Sequence, residues 1–265
     1  MERTDATYDV DWEFYDPFYE DVDDVDFYTG LARRFRGPVL DAMCGSGRVL
    51  VPLARAGFEV VGIDANERML ALARLKLVKE PVEVRQRAAL VRADVRDFDL
   101  GKKFNLVIVA FSSINHLLDP GDQDSAMGCL KRHIAEEGAL AVASFNPHLE
   151  MLGSEKIDKE VELENGDFLT RFSRLSVSPD GGRLHLHYRW ELERDGSLLS
   201  EKESDFDLRL LKPNQLKAIL EGAGLEVVER YGGYRGEPLD PGGDITVFVA
   251  RPRMVWKENA KLLAR

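Results

Sequence analysis

Cysteine is scarce in this 265-residue chain, since only Cys44 and Cys129 occur and their spacing matches no metal-binding or redox motif. Two cysteines so placed give no disulfide framework, which excludes the small disulfide-stapled class of secreted domain. No apolar run reaches the roughly 20 residues that cross a bilayer. The first 30 residues also lack the basic and then apolar order of a signal peptide. We therefore expect a cytoplasmic protein with no membrane partner.

Positive charge is also in short supply, because 36 lysine and arginine residues stand against 47 acidic ones, for a formal net charge of -11. Most of the imbalance lies in residues 1–30, which carry eleven acids and a single base, Arg3. Nucleic-acid binding needs a basic face, so we expect no nucleic-acid partner. An acidic surface would attract a cationic amine, although a merely solvated surface has the same composition.

The pattern of the chain changes once along its length. Strand-like apolar runs alternate with helix-like segments through residues 35–152 and again through 211–253, which is typical of a doubly wound α/β sheet. Residues 153–210 instead alternate with period two, and three hairpin signals punctuate them: Asn165-Gly166, Pro179-Asp180-Gly181-Gly182 and Asp195-Gly196. We expect one α/β core with an inserted antiparallel β-sheet at 153–210 and a short helical tail at 254–265.

A glycine loop between a strand and a helix carries the first functional signal. The segment from Pro38 to Arg48 reads PVLDAMCGSGR, and Gly45 and Gly47 allow backbone N–H groups to approach a ligand closely. A dinucleotide fingerprint, G-x-G-x-x-G, would need a glycine where Leu50 stands. Asp41 would also repel a pyrophosphate, so the loop favours a nucleoside that bears a cationic group.

Carboxylates follow two further strand-like runs. Asp64 ends the run that begins at Phe58, and it can accept hydrogen bonds from both hydroxyls of a ribose. Dehydrogenases place an acid at about this spot too, so Asp64 alone does not choose between the two classes. Asn66 is typical of a helix N-cap, and Asp94 follows the third run. A series of three strand-end carboxylates indicates a nucleoside site.

These segments resemble motif I and the following motifs of the class I S-adenosylmethionine-dependent methyltransferases, in which an acidic residue precedes a G-x-G loop. The resemblance implies a Rossmann-like, seven-stranded methyltransferase sheet with S-adenosyl-L-methionine as cofactor, S-adenosyl-L-homocysteine as product and no metal. Asp94 stands where this class hydrogen-bonds the adenine amino group. The positions that the resemblance assigns to the cofactor are Tyr19, Tyr28, Asp41, Gly45, Gly47, Asp64, Ala65, Met69, Asp94, Val95 and Ala110.

The segment after the fourth strand-like run, Phe111 to Leu118, reads FSSINHLL. It resembles motif IV of small-molecule methyltransferases, in particular the N,N-dimethyltransferases that act on nucleotide-linked amino sugars. The resemblance makes His116 the catalytic residue, as a base or as a group that orients the acceptor. The Asn/Asp-Pro-Pro-aromatic run of nucleic-acid base methylases is absent. Asn115 departs from the family, since a small residue commonly precedes the histidine.

The N-terminal segment and the insertion complete the expected site. Residues 1–34 combine their acids with many aromatic side chains, a composition unlike that of disordered chain, so we expect a lid over the cofactor. The family covers the methionine part of its ligand with a tyrosine-bearing segment, for which Tyr19 and Tyr28 are the candidates. In the insertion, His185 and His187 share a polar face that either lines a pocket or is solvated. No carboxylate or thiol at a matching spacing completes a metal site with them.

We therefore expect an S-adenosylmethionine-dependent methyltransferase that acts on a small-molecule acceptor, with an amine nitrogen favoured over a hydroxyl. Two other classes stay open: an NAD-dependent oxidoreductase and a non-catalytic protein that binds S-adenosylmethionine. A homodimer is also left open, and the sequence does not identify the acceptor.

Overall fold

The computed structural model describes residues 11–19, 23–145, 147 and 152–253. The expected lid is therefore described from residue 11 onward, with a gap, and the expected tail at 254–265 lies outside the described residues. The helices are α1 (Tyr15–Tyr19), α2 (Asp24–Phe35), α3 (Leu50–Arg55), α4 (Glu67–Val78), α5 (Val82–Arg85), α6 (Pro120–Arg132) and α7 (Pro213–Gly222). Two short 3-10 helices span Trp12–Phe14 and Ser113–His116.

Eleven strands form two sheets in the described part of the chain. The strands are β1 (Val39–Ala42), β2 (Val60–Asp64), β3 (Ala88–Arg92), β4 (Phe104–Val109), β5 (Ile134–Phe145), β6 (Lys156–Glu162), β7 (Phe168–Val177), β8 (Arg183–Arg194), β9 (Ser197–Arg209), β10 (Leu225–Tyr231) and β11 (Ile245–Pro252). The larger sheet has the order β10-β11-β5-β4-β1-β2-β3, and the smaller has the order β6-β7-β8-β9.

The larger sheet is doubly wound around β1. The chain adds β2 and β3 on one side of β1 and then crosses to β4 and β5 on the other, with parallel pairing throughout these five strands. Strand β11 runs antiparallel between β5 and β10. This order confirms the expected seven-stranded Rossmann-like sheet. In such sheets the loops that leave the switch point diverge, so a ligand crevice is expected beyond the carboxyl ends of β1 and β4.

Helices cover both faces of this sheet, which explains why its central strands are almost uniformly apolar. Along β4, Leu106 and Ile108 pack with side chains of α2 and α3, whereas Val107 and Val109 pack with side chains of α6 and α7. Residues 104–109 are fully buried except Asn105. The result is a rigid platform whose strand ends hold the loops of the site.

The smaller sheet is antiparallel, as the period-two pattern predicts, and its three connecting turns contain the three predicted hairpin signals. Asp195 and Gly196 both have positive φ, 49° and 72°, as a two-residue hairpin turn requires. Leucine and aromatic side chains on one face form a separate apolar cluster. Phe14 and Phe18 from the N-terminal segment join that cluster, with ring centroids 5.4 and 4.7 Å from that of Trp190.

The N-terminal segment is anchored to the smaller sheet by a buried carboxylate as well. Asp11 is 3% exposed, and its Oδ2 accepts hydrogen bonds from Trp190 Nε1 at 3.0 Å and from Ser204 Oγ at 2.8 Å. These contacts hold α1 between the smaller sheet and the strand ends of the larger one. Among the described residues, no helix has the length and apolar character needed to cross a membrane.

Candidate functional site: two adjoining cavities

A cavity of about 190 Å³ lies at the strand ends where the crevice is expected. Its lining comes from the segments that follow β1, β2, β3 and β4, together with Tyr15 from α1. The predicted site residues that the structure brings to this lining are Gly45, Asp64, Ala65, Met69, Asp94, Val95 and His116. The predicted series of strand-end side chains therefore converges on one space.

The glycine loop lies close to α4, which explains its two glycines. Gly45 and Gly47 have positive φ values of 54° and 75°, and a Cβ on Gly47 would lie 3.1 Å from that of Ala73. Gly45 also donates its N–H to Asp64 Oδ2 at 2.7 Å. Gly45 lines the cavity, whereas Gly47 does not and instead permits close packing beneath it.

Asp64 is held in place by main-chain donors. Its Oδ2 accepts from Gly45, and its Oδ1 accepts from the N–H of Asn66 at 2.8 Å. Asn66 in turn caps α4, accepting from the N–H groups of Arg68 at 2.9 Å and Met69 at 3.2 Å. A carboxylate offers about four lone-pair sites, and Asp64 lies in the lining of the cavity. The geometry suits a vicinal diol such as a ribose.

Asp94 belongs to an ion-pair network that sequence reasoning missed. Its Oδ1 accepts from the main-chain N–H of Arg96 at 2.9 Å, and the Arg96 guanidinium binds both of its oxygens at 2.5 to 3.0 Å. Arg96 also reaches Asp122 Oδ2 at 2.8 Å. Arg96 itself lines the cavity. The network orients the Asp94 carboxylate, and the only sequence signal was the spacing of two residues between the acid and the arginine.

Asp41 lies beneath the lining. It is 1% exposed, and neither of its carboxylate oxygens has a hydrogen-bond partner. Burial raises the pKa of Asp41 to about 7, the nearby Arg48 guanidinium opposes that rise, and the carboxylates of Asp24 and Asp64 add to it. An unsatisfied buried acid is costly. This orphaned acid marks a place where a cationic group would be stabilised.

The structure separates the predicted tyrosines. Tyr28 is fully buried in α2, where its ring lies 5.5 Å from that of Phe27 and 6.0 Å from that of Tyr234, and it does not line the cavity. Its burial follows from the inward face of α2, which packs on the larger sheet. Tyr15, which the sequence did not single out, lines the cavity instead, and Tyr19 lines a second one. Ala110 is buried behind the lining.

The second cavity, of about 270 Å³, adjoins the first and shares Phe111, Ser112 and His116 with it. The rest of its lining comes from the N-terminal segment, from the end of β5, from β6 to β9 and from the start of β11 with the residue before it. The His116 ring stacks on that of Phe206 from β9, with centroids 6.0 Å apart and planes at 22°. His116 therefore stands at the junction of the two cavities.

Asn115 holds the Ser113–His116 turn in place. It is 1% exposed, and its Nδ2 donates to the carbonyl of Arg209 at 2.7 Å and to that of Phe145 at 3.3 Å. Its Oδ1 accepts from the Phe145 N–H at 3.2 Å. These bonds tie the Ser113–His116 turn to β5 and β9 at once. The departure from the family pattern therefore has a structural role next to the site.

The insertion contributes its apolar face to the second cavity. Leu186 and Tyr188 line it, whereas His185 and His187 lie on the opposite face, where their Nδ1 atoms lie 2.9 and 3.0 Å from aspartate oxygens of β9. Of the two readings of that polar face, the pocket-lining one is wrong, because the pocket lies on the face that also forms the apolar cluster. No group of three or more metal-ligating side chains suited to an ion occurs within the described ranges.

Comparison with known proteins identifies the family. A methyltransferase domain model matches residues 39–138. The chain is 30% identical over 210 residues to dTDP-3-amino-3,6-dideoxy-alpha-D-glucopyranose N,N-dimethyltransferase of Streptomyces fradiae, covering 77% of this chain and 76% of that protein. It is 25% identical to dTDP-3-amino-3,4,6-trideoxy-alpha-D-glucopyranose N,N-dimethyltransferase of Streptomyces venezuelae, over 76% of this chain and 80% of that protein.

A solved structure agrees with these relatives. The CcbJ methyltransferase of Streptomyces caelestis superposes with a TM-score of 0.72 at 26% identity, over 86% of this chain and 89% of that one. The chain belongs to the S-adenosylmethionine-dependent methyltransferases. The predicted enzyme class and fold are thereby confirmed.

Proposed function

We propose that the protein transfers a methyl group from S-adenosyl-L-methionine to an amine nitrogen of a small-molecule acceptor. The observation that carries the proposal is the junction of the two cavities at Phe111, Ser112 and His116. The first cavity would hold the methyl donor and the second the acceptor. Because the two cavities share these lining residues, the methyl group of the donor and the nitrogen of the acceptor would meet at the junction.

The residues of the first cavity fit the cofactor. Bound S-adenosyl-L-methionine would supply a methyl group activated by a positively charged sulfur. Asp64 offers acceptors for the two ribose hydroxyls, and Asp94 with Val95 lies where the adenine would be recognised. Beneath the glycine loop, the buried Asp41 carboxyl has no hydrogen-bond partner, and the positive charge of the ammonium end of the ligand would lower its raised pKa and favour its ionised form. Gly45, Ala65 and Met69 also line this cavity.

The protein's main contribution is positioning. Well-oriented reactions gain about 7–11 kcal/mol from proximity, whereas a general base typically contributes ~10²–10⁴-fold in rate. We assign His116 the role of orienting the acceptor nitrogen and accepting the proton that the nitrogen loses. We assign the role of lid to the N-terminal segment; of its described residues, Tyr15 lines the first cavity and Tyr19 the second. Residues 153–210 form the roof of the acceptor cavity.

Nitrogen is favoured over oxygen by the relatives. The two curated proteins named above are N,N-dimethyltransferases by name, and their names specify amino sugars. The acidic balance of the chain also favours a cationic amine. A hydroxylated metabolite, which would make the protein an O-methyltransferase, is the alternative.

The proposal is tested by incubating the protein with radiolabelled S-adenosyl-L-methionine and a panel of small primary amines, each paired with the alcohol of the same skeleton. We expect label to appear on amines and not on the alcohols. Transfer only to alcohols would establish the alternative. Thermal shift with S-adenosyl-L-homocysteine and with NAD is the accompanying control. Stabilisation by NAD alone would overturn the methyl-donor assignment.

A further inference from the structure

Helix α1 lies between the two cavities and contributes to both. It spans five residues, Tyr15–Tyr19, so its place in the fold is set by packing and not by helix propensity. Tyr15 lines the first cavity and Tyr19 lines the second, and their ring centroids are 4.6 Å apart. The Tyr19 ring also lies 5.4 Å from that of Phe111, which both cavities share. A displacement of α1 would therefore change the two cavities together.

One side of α1 is fixed to the smaller sheet. The Tyr19 hydroxyl accepts a hydrogen bond at 2.8 Å from Nη1 of Arg171, a residue of β7 that lines the second cavity. The Phe18 carbonyl accepts from Lys159 Nζ at 3.2 Å, and the Phe18 ring packs edge-on against that of Trp190 at 4.7 Å. These contacts tie α1 to the strands that form the wall of the second cavity.

The other side of α1 is fixed to the glycine loop by a carboxylate. Asp16 Oδ1 accepts from Ser46 Oγ and from Lys76 Nζ, both at 2.6 Å, and Lys76 Nζ also donates to Ser46 Oγ at 3.1 Å. These three residues are the Asp16 clamp. Ser46 is 1% exposed and lies between Gly45 and Gly47. The clamp thus joins three segments that are distant in sequence, which are α1, the glycine loop and α4.

The clamp connects the main chain that faces the first cavity to the wall of the second. Gly45, next to Ser46, lines the first cavity and donates its N–H to Asp64, another lining residue. A ligand in that cavity would restrict the glycine loop, and with it the Ser46 hydroxyl that donates to Asp16. Because α1 is held on both sides, ordering one side reduces the conformational freedom that the other still has to lose. Two sites that share such an element bind their ligands with a coupling free energy.

We propose that Asp16 is a positioning residue that couples the two cavities, so that a ligand in the first cavity orders the wall of the second. The methyl donor then binds before the acceptor, and it prepares the acceptor cavity through Ser46, Asp16 and Tyr19. The coupling rests on the proposed function, because it takes the first cavity as the donor site and the second as the acceptor site. It goes further by naming the residue that links the two sites and the order of binding.

Hydrogen exchange on the full chain, with and without S-adenosyl-L-homocysteine, tests the coupling without any acceptor. In the wild-type protein the ligand should slow exchange in residues 43–48 and 64–69, which lie around the first cavity. It should also slow exchange by about threefold or more in α1 and in β7, which contribute to the second cavity. Slowing that is confined to the first cavity would overturn the coupling.

Removal of the clamp should separate the two responses. Asp16→Ala deletes the carboxylate and keeps a side chain that favours a helix. It should retain the slowing around the first cavity and abolish it in α1 and β7. The affinity for S-adenosyl-L-homocysteine should fall by about fivefold at most, as for a partly exposed ion pair. Asp26→Ala, at an exposed position on α2, is the matched control and should behave as the wild type. If Asp16→Ala keeps the slowing in β7, the clamp does not couple the cavities.

A double-mutant cycle with Tyr19→Phe tests whether the coupling runs through α1. Tyr19→Phe removes the hydroxyl that accepts from Arg171, and by itself it should also abolish the slowing in β7. Adding Asp16→Ala should cause no further change, because the two residues act in series. If the double variant loses more of the slowing than either single variant, the two residues act independently and the link through α1 is wrong. Thermal melting of each variant separates a loss of coupling from a loss of folding.

Initial rates give an independent measure, taken with the amine of the panel that is methylated fastest. Asp16→Ala should lower kcat/KM for that amine by about tenfold or more, and kcat/KM for the methyl donor by about fivefold at most. Equal losses in both would leave Asp16 with a structural role alone and overturn the coupling.

The coupling and the proposed function fail in different ways. If S-adenosyl-L-homocysteine slows exchange nowhere and no amine is methylated, the proposed function is wrong and the coupling falls with it. If the ligand slows exchange around the first cavity alone while amines are methylated, the proposed function stands and the coupling is wrong.

Discussion

The two cavities of this methyltransferase are built in different ways. The bonds that shape the first cavity, which we propose for the cofactor, join near neighbours in sequence, such as Asn66 to Asp64 over two residues and Gly45 to Asp64 over 19. Those that shape the second cavity, which we propose for the acceptor, include bonds between distant segments, with 94 residues between Asn115 and Arg209 and 152 between Tyr19 and Arg171. The first cavity therefore depends mainly on local sequence motifs, whereas the second also depends on the packing of elements that are remote in sequence.

The two cavities therefore depend on different kinds of contact. The cofactor cavity relies on strand ends of a buried parallel sheet and on main-chain donors, which hold their geometry through the sheet itself. The acceptor cavity relies on side chains from the N-terminal segment and the inserted sheet, whose mutual contacts are aromatic and ionic. Substitutions in the first half should therefore act on folding and cofactor binding, and those in the second on turnover and acceptor choice.

The largest effect is expected where α2 meets the glycine loop. Asp24 is fully buried, and its two oxygens accept from Arg48 Nη1 at 2.5 Å and Nη2 at 2.7 Å. Asp24→Asn removes the hydrogen-bonded counter-charge of the buried Arg48 guanidinium, which should lower the free energy of unfolding by about 3–5 kcal/mol. Urea denaturation measures the change.

The control for that variant is an exposed ion pair of similar length. Arg74→Met removes the pair with Glu67, whose two side chains are 46% and 51% exposed, and it should cost less than about 1 kcal/mol. If the two substitutions lowered the free energy of unfolding equally, the buried Asp24–Arg48 pair would stabilise the fold no more than an exposed pair does.

The next effect concerns the carboxylate at the end of β2. Asp64→Ala should weaken binding of S-adenosyl-L-homocysteine by well over tenfold, because hydrogen bonds to a charged group are worth about 1.5–3 kcal/mol each and the glycine loop loses its anchor. Calorimetry measures the affinity. Asp124→Ala, at an exposed position on α6, should leave it unchanged. An unaltered affinity in Asp64→Ala would remove this residue from the site.

Sequence patterns located much of the lining of the first cavity for a physical reason. Strand ends, glycine turns and N-caps are local, so Gly45, Asp64 and Asp94 could be placed at one edge of a sheet before any contact was known. The errors fall where burial decides. Tyr28 and Tyr15 are both tyrosines of the N-terminal segment, and only the packing of α2 against the larger sheet turns Tyr28 away from the cavity.

The acceptor half was less accessible to sequence reasoning. The histidines on the polar face of β8 suggested a pocket on that face, yet the second cavity lies on the apolar face. Arg171 was missed although a signal existed, since it interrupts an apolar series on β7 at the position paired with Trp190 on β8. A charged residue in phase with buried leucines must find a partner or a ligand. That partner, Asp158, lies 13 residues away on a different strand.

His116 tests the acceptor half directly. His116→Ala should lower kcat by about tenfold while leaving the affinity for S-adenosyl-L-homocysteine intact, because an amine acceptor needs orientation more than a strong base. A loss within the ~10²–10⁴-fold range of general-base catalysis would instead favour oxygen chemistry. His185→Ala, on the face away from the cavity, is the matched control. Wild-type turnover in His116→Ala would refute its catalytic role.

The smallest predicted effect is a pH dependence in the cofactor half. Burial raises the pKa of Asp41 to about 7 from 3.8, so between these values the folded chain holds a proton that the unfolded chain has lost. Stability from this group is therefore fully present below about pH 4 and is lost as the pH rises through 7. Between pH 6 and pH 8 the loss should be about 1.4 kcal/mol. Asp41→Asn should remove that part of the pH dependence, whereas Asp124→Asn, whose carboxylate is exposed, should keep it. Urea denaturation at both pH values decides the matter, and an unchanged slope in Asp41→Asn would mean that the orphaned acid is ionised in the folded protein.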